Sequence, residues 1–367
     1  MIKRRIVCLV LAFTGLLCGL GISASGITTD DNTLQCIGLD AQTSFLGNSA
    51  SISNAKSVIL YETNSDILMY AQNADDRIYP ASFVKMMTAL VAIEQGRLTD
   101  SVVVKEEILN TVSSGAVSVD LQADEIITLK DLLYCMMVAS ANDAAAVIAA
   151  HICGSIPDFV TVMNQRAEEI GCADTVFTNV HGLHDDDQYS TARDIAKILA
   201  AATENEQFME VFSTVYYDVP ATNKSDIRYL ASGNYLMNKD DVQIYYDSRV
   251  TGSRTGVDTN GFRCLATTAS ANDMDYICVV TGSRSVYEKD GYTVRSFGGY
   301  NETKRLLDLG FNGNTRGQVF FKGQSVKQEA VINGENDVIL GAATDMIAIV
   351  PNDADLEYRY QHQSAEL

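Results

Sequence analysis

The sequence predicts an α+β fold, an antiparallel sheet built together with a helical subdomain, and three observations carry that prediction. Ser57 to Tyr61 and Ile67 to Ala71 are short apolar runs separated by Glu62-Thr63-Asn64-Ser65-Asp66, the pattern of two strands joined by a turn-rich connection. From Thr128 to Ala202 apolar residues recur at helical spacing. Finally, Arg263 to Thr268 and Tyr276 to Thr281 read as strands on either side of Asn272-Asp273, residue types that accept the left-handed backbone of a tight hairpin.

In chain order, Lys3, Arg4 and Arg5 precede an apolar stretch from Ile6 to about Ile22 and the small residues Ser23-Ala24-Ser25. That is the pattern of a secretory signal peptide over residues 1–25. An uncleaved membrane anchor competes with it, because Ile6 to Ala24 is just long enough to span a bilayer. Bulky Leu17 stands where a lipidation signal before Cys18 needs a small residue, so no lipid anchor is expected. The leader places the mature protein outside the cytoplasm: secreted, in the cell wall or at the outer face of the cytoplasmic membrane. A polar linker follows over 26–53, then a catalytic unit over 54–312. Alternation in Gln318 to Phe321 and Ala342 to Val350 predicts a small β domain over 313–367.

Within the catalytic unit, Pro80 suits a first helical turn, and the helix it opens is apolar on nearly every face from Met86 to Ile93, ending near Gly96. Such a helix must be buried. Leu132, Leu133, Met136 and Met137 lead into Ser140, and a new helix runs from Asn142 to Ile152, so Ser140-Ala141-Asn142 lies in the loop between two helices. Phe159 to Ile170 and Thr191 to Ala202 are amphipathic helices, the latter capped by Ser190-Thr191. Arg254-Thr255-Gly256 begins the edge of the second group of strands, and Asn301 to Leu309 closes the unit as a helix. Tyr216-Tyr217 and Tyr245-Tyr246 read as half-buried strand residues.

Composition bounds the function. With 47% apolar residues and a mean hydropathy of +0.02 the chain can bury a substantial core. A net charge of −20 without a basic cluster excludes nucleic acid and an anionic membrane surface as principal partners. Once the leader is removed, Cys36, Cys135, Cys153, Cys172, Cys264 and Cys278 remain, and spacing cannot assign pairs. Cys135, Cys153, Cys264 and Cys278 sit in apolar runs and read as buried thiols. There is no C-x-x-C metal pattern, and His181 and His184 with Asp185-Asp186-Asp187 offer metal-ligand types without a defined spacing, the acidic run reading as a solvated loop. No cofactor is expected.

The chemistry is carried by Ser82-Phe83-Val84-Lys85, followed by Ser140-Ala141-Asn142 and then Arg254-Thr255-Gly256. A serine and a lysine three apart on a helix share one face, so a nucleophile and its base are built into a single turn. A lysine at the start of a buried helix is costly unless it is neutral, paired or open to a cleft. The order of the three motifs reads as a serine acyl-transfer site.

These stretches, with Tyr79-Pro80-Ala81-Ser82, His181-Gly182-Leu183, Tyr189-Ser190-Thr191-Ala192-Arg193-Asp194 and Gly252-Ser253-Arg254, carry a resemblance over about residues 54 to 312. The chain resembles the serine-type D-alanyl-D-alanine carboxypeptidases, the low-molecular-mass penicillin-binding proteins, whose signature is S-x-x-K, S-x-N and K-T-G. The resemblance implies a β-lactamase/transpeptidase-like catalytic domain followed by a small β domain, of which 313–367 would be an incomplete or reduced version. It implies removal of the terminal D-alanine from peptidoglycan stem peptides ending in D-Ala-D-Ala, and acylation by β-lactams. It makes Ser82 the nucleophile, Lys85 the base and Ser140 a proton relay. Asn142 would hold Lys85 or a substrate amide, Arg254 and Thr255 would bind the substrate carboxylate, and the Val257 N–H beside Gly256 would join that of Ser82 in an oxyanion site. Arg254 stands where the family has lysine. Arginine grips carboxylates bidentately but cannot shift its charge as lysine can. Two other readings are a β-lactam hydrolase, for which Glu168 and Glu169 offer no matching Glu-x-x-Leu-Asn pattern, and a non-catalytic muropeptide-binding protein.

Overall fold

The structure is a computed structural model; it describes side chains at 38–42, 44–46, 54–289, 294–316 and 349, and elsewhere only the backbone of short strands within 5–29 and 317–360. The expected signal peptide and the first part of the expected linker therefore lie where no side chain is described.

Five strands form one antiparallel sheet: β1 (Ser57–Glu62), β2 (Ile67–Gln72), β3 (Val250–Val257), β4 (Arg263–Ala271) and β5 (Met274–Ser283), in the order β2-β1-β5-β4-β3. The chain's two distant hairpins meet through β1 and β5, where Leu60 is opposite Cys278 and Val58 opposite Val280. Asn272 and Asp273, with φ of 53° and 59°, make the β4–β5 turn anticipated from their residue types. Among the described residues β3 is an edge strand, hydrogen-bonded to β4 on one side only.

The longer helices are α1 (Val84–Gln95), α2 (Leu129–Val138), α3 (Asn142–Cys153), α4 (Ile156–Ile170), α5 (Ala192–Thr203), α6 (Glu206–Phe212) and α7 (Gly298–Asn312), with a single helical turn at Glu106–Leu109. Both faces of the sheet are covered, which explains why β1 is apolar without alternation. Val58, Leu60, Cys278 and Val280 pack against Leu306, Leu307 and Phe311 of α7. The alternate residues Ile59, Ile277 and Val279 join the large core made with α1 to α6. Every residue of α1 from Val84 to Ile93 is buried, as its unbroken apolar sequence requires. Thr191 caps α5 by accepting from the Asp194 N–H.

Several details depart from the sequence reading. Residues 38–42 and 44–46, within the expected linker, lie along β2, with the Phe45 and Leu46 N–H groups donating to Leu68 and Met69 carbonyls at 2.8 and 2.9 Å. Arg193 reaches the Leu39 and Ala41 carbonyls and pairs with Asp75, which fastens this segment to α5. Tyr216 and Tyr217 are in a strand, paired with Arg228–Ala231, but Tyr245 and Tyr246 lie in a turn. Tyr245 is buried there with Tyr235, Phe297 and Tyr300 because aromatic area drives it inward without a ladder. Cys135, Cys153, Cys172, Cys264 and Cys278 are free thiols. Burial pushes Cys135 and Cys264 up to about 12, so neither is a reactive thiolate.

Candidate active site

Ser82 lies in a single 3-10 turn, Ala81–Phe83, that runs directly into α1. Ala81 immediately before it has φ of 47°, a left-handed conformation that an L-residue adopts at a cost of about 1–3 kcal/mol. Two glycines make room for this bend. Gly182, at φ 84°, is so close that a Cβ there would fall 1.8 Å from the Ala81 carbonyl oxygen. Gly256 on β3 passes Ser82 closely enough that its Cβ would lie 3.1 Å from the Ser82 nitrogen.

The α2–α3 loop brings the second motif across. Ser140 is left-handed at φ 63°, which turns its hydroxyl toward the nucleophile, and the two serine oxygens are 3.5 Å apart. Asn142 begins α3; its backbone N–H and Nδ2 both donate to the Val117 carbonyl, at 2.8 and 3.0 Å, so its Oδ1 is aimed at Lys85. The Val117 loop is itself held by Asp143, whose carboxylate accepts from Ser118 Oγ and the Leu121 N–H at 2.6 and 3.1 Å.

Lys85 is 1% exposed and donates to Asn142 Oδ1 at 2.8 Å and to the His181 carbonyl at 2.5 Å. Burial, and after it the positive charge of Arg254, holds its pKa well below that of an ordinary lysine. Burial and the Lys85 amine likewise bring His181 down to about 4, so its ring is neutral at neutral pH. The His181 carbonyl was not legible as a site atom, since a backbone acceptor leaves no mark in residue type.

The third motif needs correction. Arg254 is 5% exposed and turned inward: Nε and the two terminal nitrogens donate to the carbonyls of Ser82 (3.3 Å) and Met137 (2.6 Å) and to Ser140 Oγ (2.7 Å). It is a charge beneath the cleft and a donor to Ser140, not an open bidentate grip on a carboxylate. Thr255 is not brought to Ser82. Strand alternation puts Arg254 and Gly256 on the helical side and Thr255 on the α7 side, where its buried hydroxyl lies beside Tyr300. Val257 follows Gly256 at the exposed end of the same strand. Asp258 N–H donates inward to the Phe262 carbonyl, so the preceding Val257 N–H points to the open edge beside Ser82.

A serine following a strained alanine, a buried amine held by two acceptors, a second hydroxyl and an edge N–H define a serine acyl-transfer enzyme of the penicillin-binding fold. Comparison with known proteins narrows the class. The D-alanyl-D-alanine carboxypeptidase family matches residues 46–285. The D-alanyl-D-alanine carboxypeptidase DacA of Haemophilus influenzae is 30% identical over 327 residues, covering 85% of this chain and 76% of its own. DacF of Bacillus subtilis is 29% identical over 301 residues, with 81% and 72% covered. Among solved structures, penicillin-binding protein 5 of Haemophilus influenzae superposes with a TM-score of 0.65 at 30% identity, over 82% of this chain and 83% of that one. The chain belongs to the D-alanyl-D-alanine carboxypeptidase family.

Proposed function

We propose that this protein removes the terminal D-alanine from peptidoglycan stem peptides through an acyl-Ser82 intermediate, and that β-lactams acylate the same serine. The observation that carries this reading is the state of Lys85: buried, beside a guanidinium, and on the nucleophile's helical turn. A neutral amine has two hydrogens, and Asn142 Oδ1 and the His181 carbonyl take both. Its lone pair is then free to receive the Ser82 proton as Oγ attacks the scissile carbonyl.

The Ser82 N–H, at a helix start without an intrahelical partner, and the edge N–H of Val257 stabilise the oxyanion. Arg254 donates to Ser140 Oγ, so the Ser140 hydrogen remains available to the departing D-alanine amine. Collapse of the tetrahedral intermediate breaks the peptide C–N bond and leaves an ester on Ser82. The proton held by Lys85 restores Ser140, and water then attacks the ester, giving a proton to the neutral Lys85 that passes to Ser82 Oγ as the acyl–serine bond breaks.

The catalytic unit is assigned to 54–312, followed by the small β domain over 313–367. Antiparallel pairing of Asn314–Phe320 with Met346–Pro351 supports the latter. A location outside the cytoplasm, at the cell wall or the outer membrane face, rests on the basic and apolar leader and on where such a substrate is found.

Incubation of the protein with labelled penicillin, and separately with a peptide ending in D-Ala-D-Ala, tests the reading. Labelling and D-alanine release are expected, and both are lost in Ser82→Ala with the thermal midpoint retained. A folded wild-type protein that does neither would instead be a binding protein, and rapid penicillin hydrolysis would make it a β-lactam hydrolase.

A further inference from the structure

The turn over 179–183 touches the reaction centre twice, and two side chains that take no part in the chemistry above hold it. Its His181 carbonyl accepts from Lys85, and its Gly182 lies against the backbone of Ala81. Asn179 grips the turn from within. Its Oδ1 accepts from the N–H groups of Gly182 and His181 at 2.7 and 3.3 Å, and its Nδ2 donates to the Leu183 carbonyl at 2.9 Å. Gln188, itself buried, braces the same turn by accepting from the N–H groups of Thr178 and Asn179 at 3.2 and 3.3 Å.

We infer that Asn179 is a positioning residue for proton transfer at Ser82: by clamping the 179–183 turn it aims the His181 carbonyl at Lys85 and supports the bend that carries the nucleophile. The inference rests on the carboxypeptidase reading, and Asn179 itself touches no substrate. The residue type follows from the bonds. Two bonds are accepted at Oδ1 and one is donated from Nδ2, two atoms that an amide supplies; a carboxylate has no hydrogen to donate, and a hydroxyl has a single atom for all three.

Aspartate at this position separates positioning from mere stability. It keeps both accepted bonds, loses the one to Leu183, and introduces a negative charge behind the His181 carbonyl. Lys85 is otherwise faced by Arg254 from β3, the neutral His181 ring from the turn, Ser82 on its own helical turn, and Ser140 and Asn142 from the α2–α3 loop. Asp143, next to Asn142, is turned away to Ser118 and Leu121. A new carboxylate favours the protonated, inactive form of Lys85, so the acid limb of the rate profile moves to higher pH.

The test is the penicillin acylation rate and D-alanine release of the full-length protein over a pH series. Asn179→Asp is expected to be about tenfold slower near neutral pH and to recover at higher pH, a limb displaced by about one unit. Asn179→Ala, which releases the turn without adding charge, should lose about 10- to 100-fold at every pH. Should Asn179→Asp not fold, Gln188→Glu sets a charge behind the same turn and should move the limb in the same direction by less. An unmoved limb in a folded, charged variant overturns the role of Asn179 while leaving the carboxypeptidase reading intact. A wild-type protein without acylation or release overturns both.

Discussion

Gly182→Ala is the substitution whose effect follows most directly from the coordinates. Two costs arise. The backbone at Gly182 is left-handed, φ 84°, which an alanine adopts at roughly 1–2 kcal/mol. The new Cβ would also stand 1.8 Å from the Ala81 carbonyl oxygen and 2.4 Å from its carbon, both backbone atoms that cannot rotate away. The turn and the Ala81–Ser82 backbone must therefore separate by about 1 Å, a displacement that costs on the order of 10²-fold in rate at a reacting centre. Gly171, which ends α4, is a matched control: its φ is 86°, but nothing lies within 4 Å of its Cβ position. Gly171→Ala should share the conformational penalty and keep full activity. Stopped-flow acylation by a labelled penicillin and thermal unfolding of both variants make the comparison. Wild-type acylation in Gly182→Ala, or an equal loss in Gly171→Ala, would refute the claim that this turn buttresses the nucleophile.

Two further outcomes follow from buried charge. The active form of Lys85 is the neutral amine, populated above its depressed pKa, and the depression comes from burial first and Arg254 second. Arg254→Gln removes the smaller cause, so the acid limb of kcat/KM should rise by about one pH unit, whereas Arg254→Lys keeps the charge and a donor for Ser140 and should retain activity; a pH series in which the two behave alike would contradict this. Glu125 is fully buried, and although burial raises its pKa, bonds from Arg228, the Gln122 N–H and Thr222 outweigh that and hold it below the ordinary value. Its contribution is thus present above the unfolded-state pKa and lost as pH falls through the folded one. Arg228→Met, which strands the carboxylate, should cost about 3–5 kcal/mol at neutral pH, less in acid, as thermal or urea unfolding would measure; an unchanged midpoint would show that the pair carries no stability.

The sequence by itself determined the chemistry and the local elements. Ser82 and Lys85 three apart on an apolar helix, Ser140 between two helices and Arg254 on an edge strand were legible because each depends on residue type and on periods of two or 3.6 residues. Tertiary structure alone decided which way Arg254 and Thr255 face, since a one-residue choice of strand register exchanges the two sides of a sheet. It also decided that a backbone carbonyl, His181, completes the grip on Lys85, and that Asn179 and Gly182 hold that carbonyl in place. Backbone acceptors and close approaches between segments about a hundred residues apart are set by packing, and packing leaves no periodic trace in the chain.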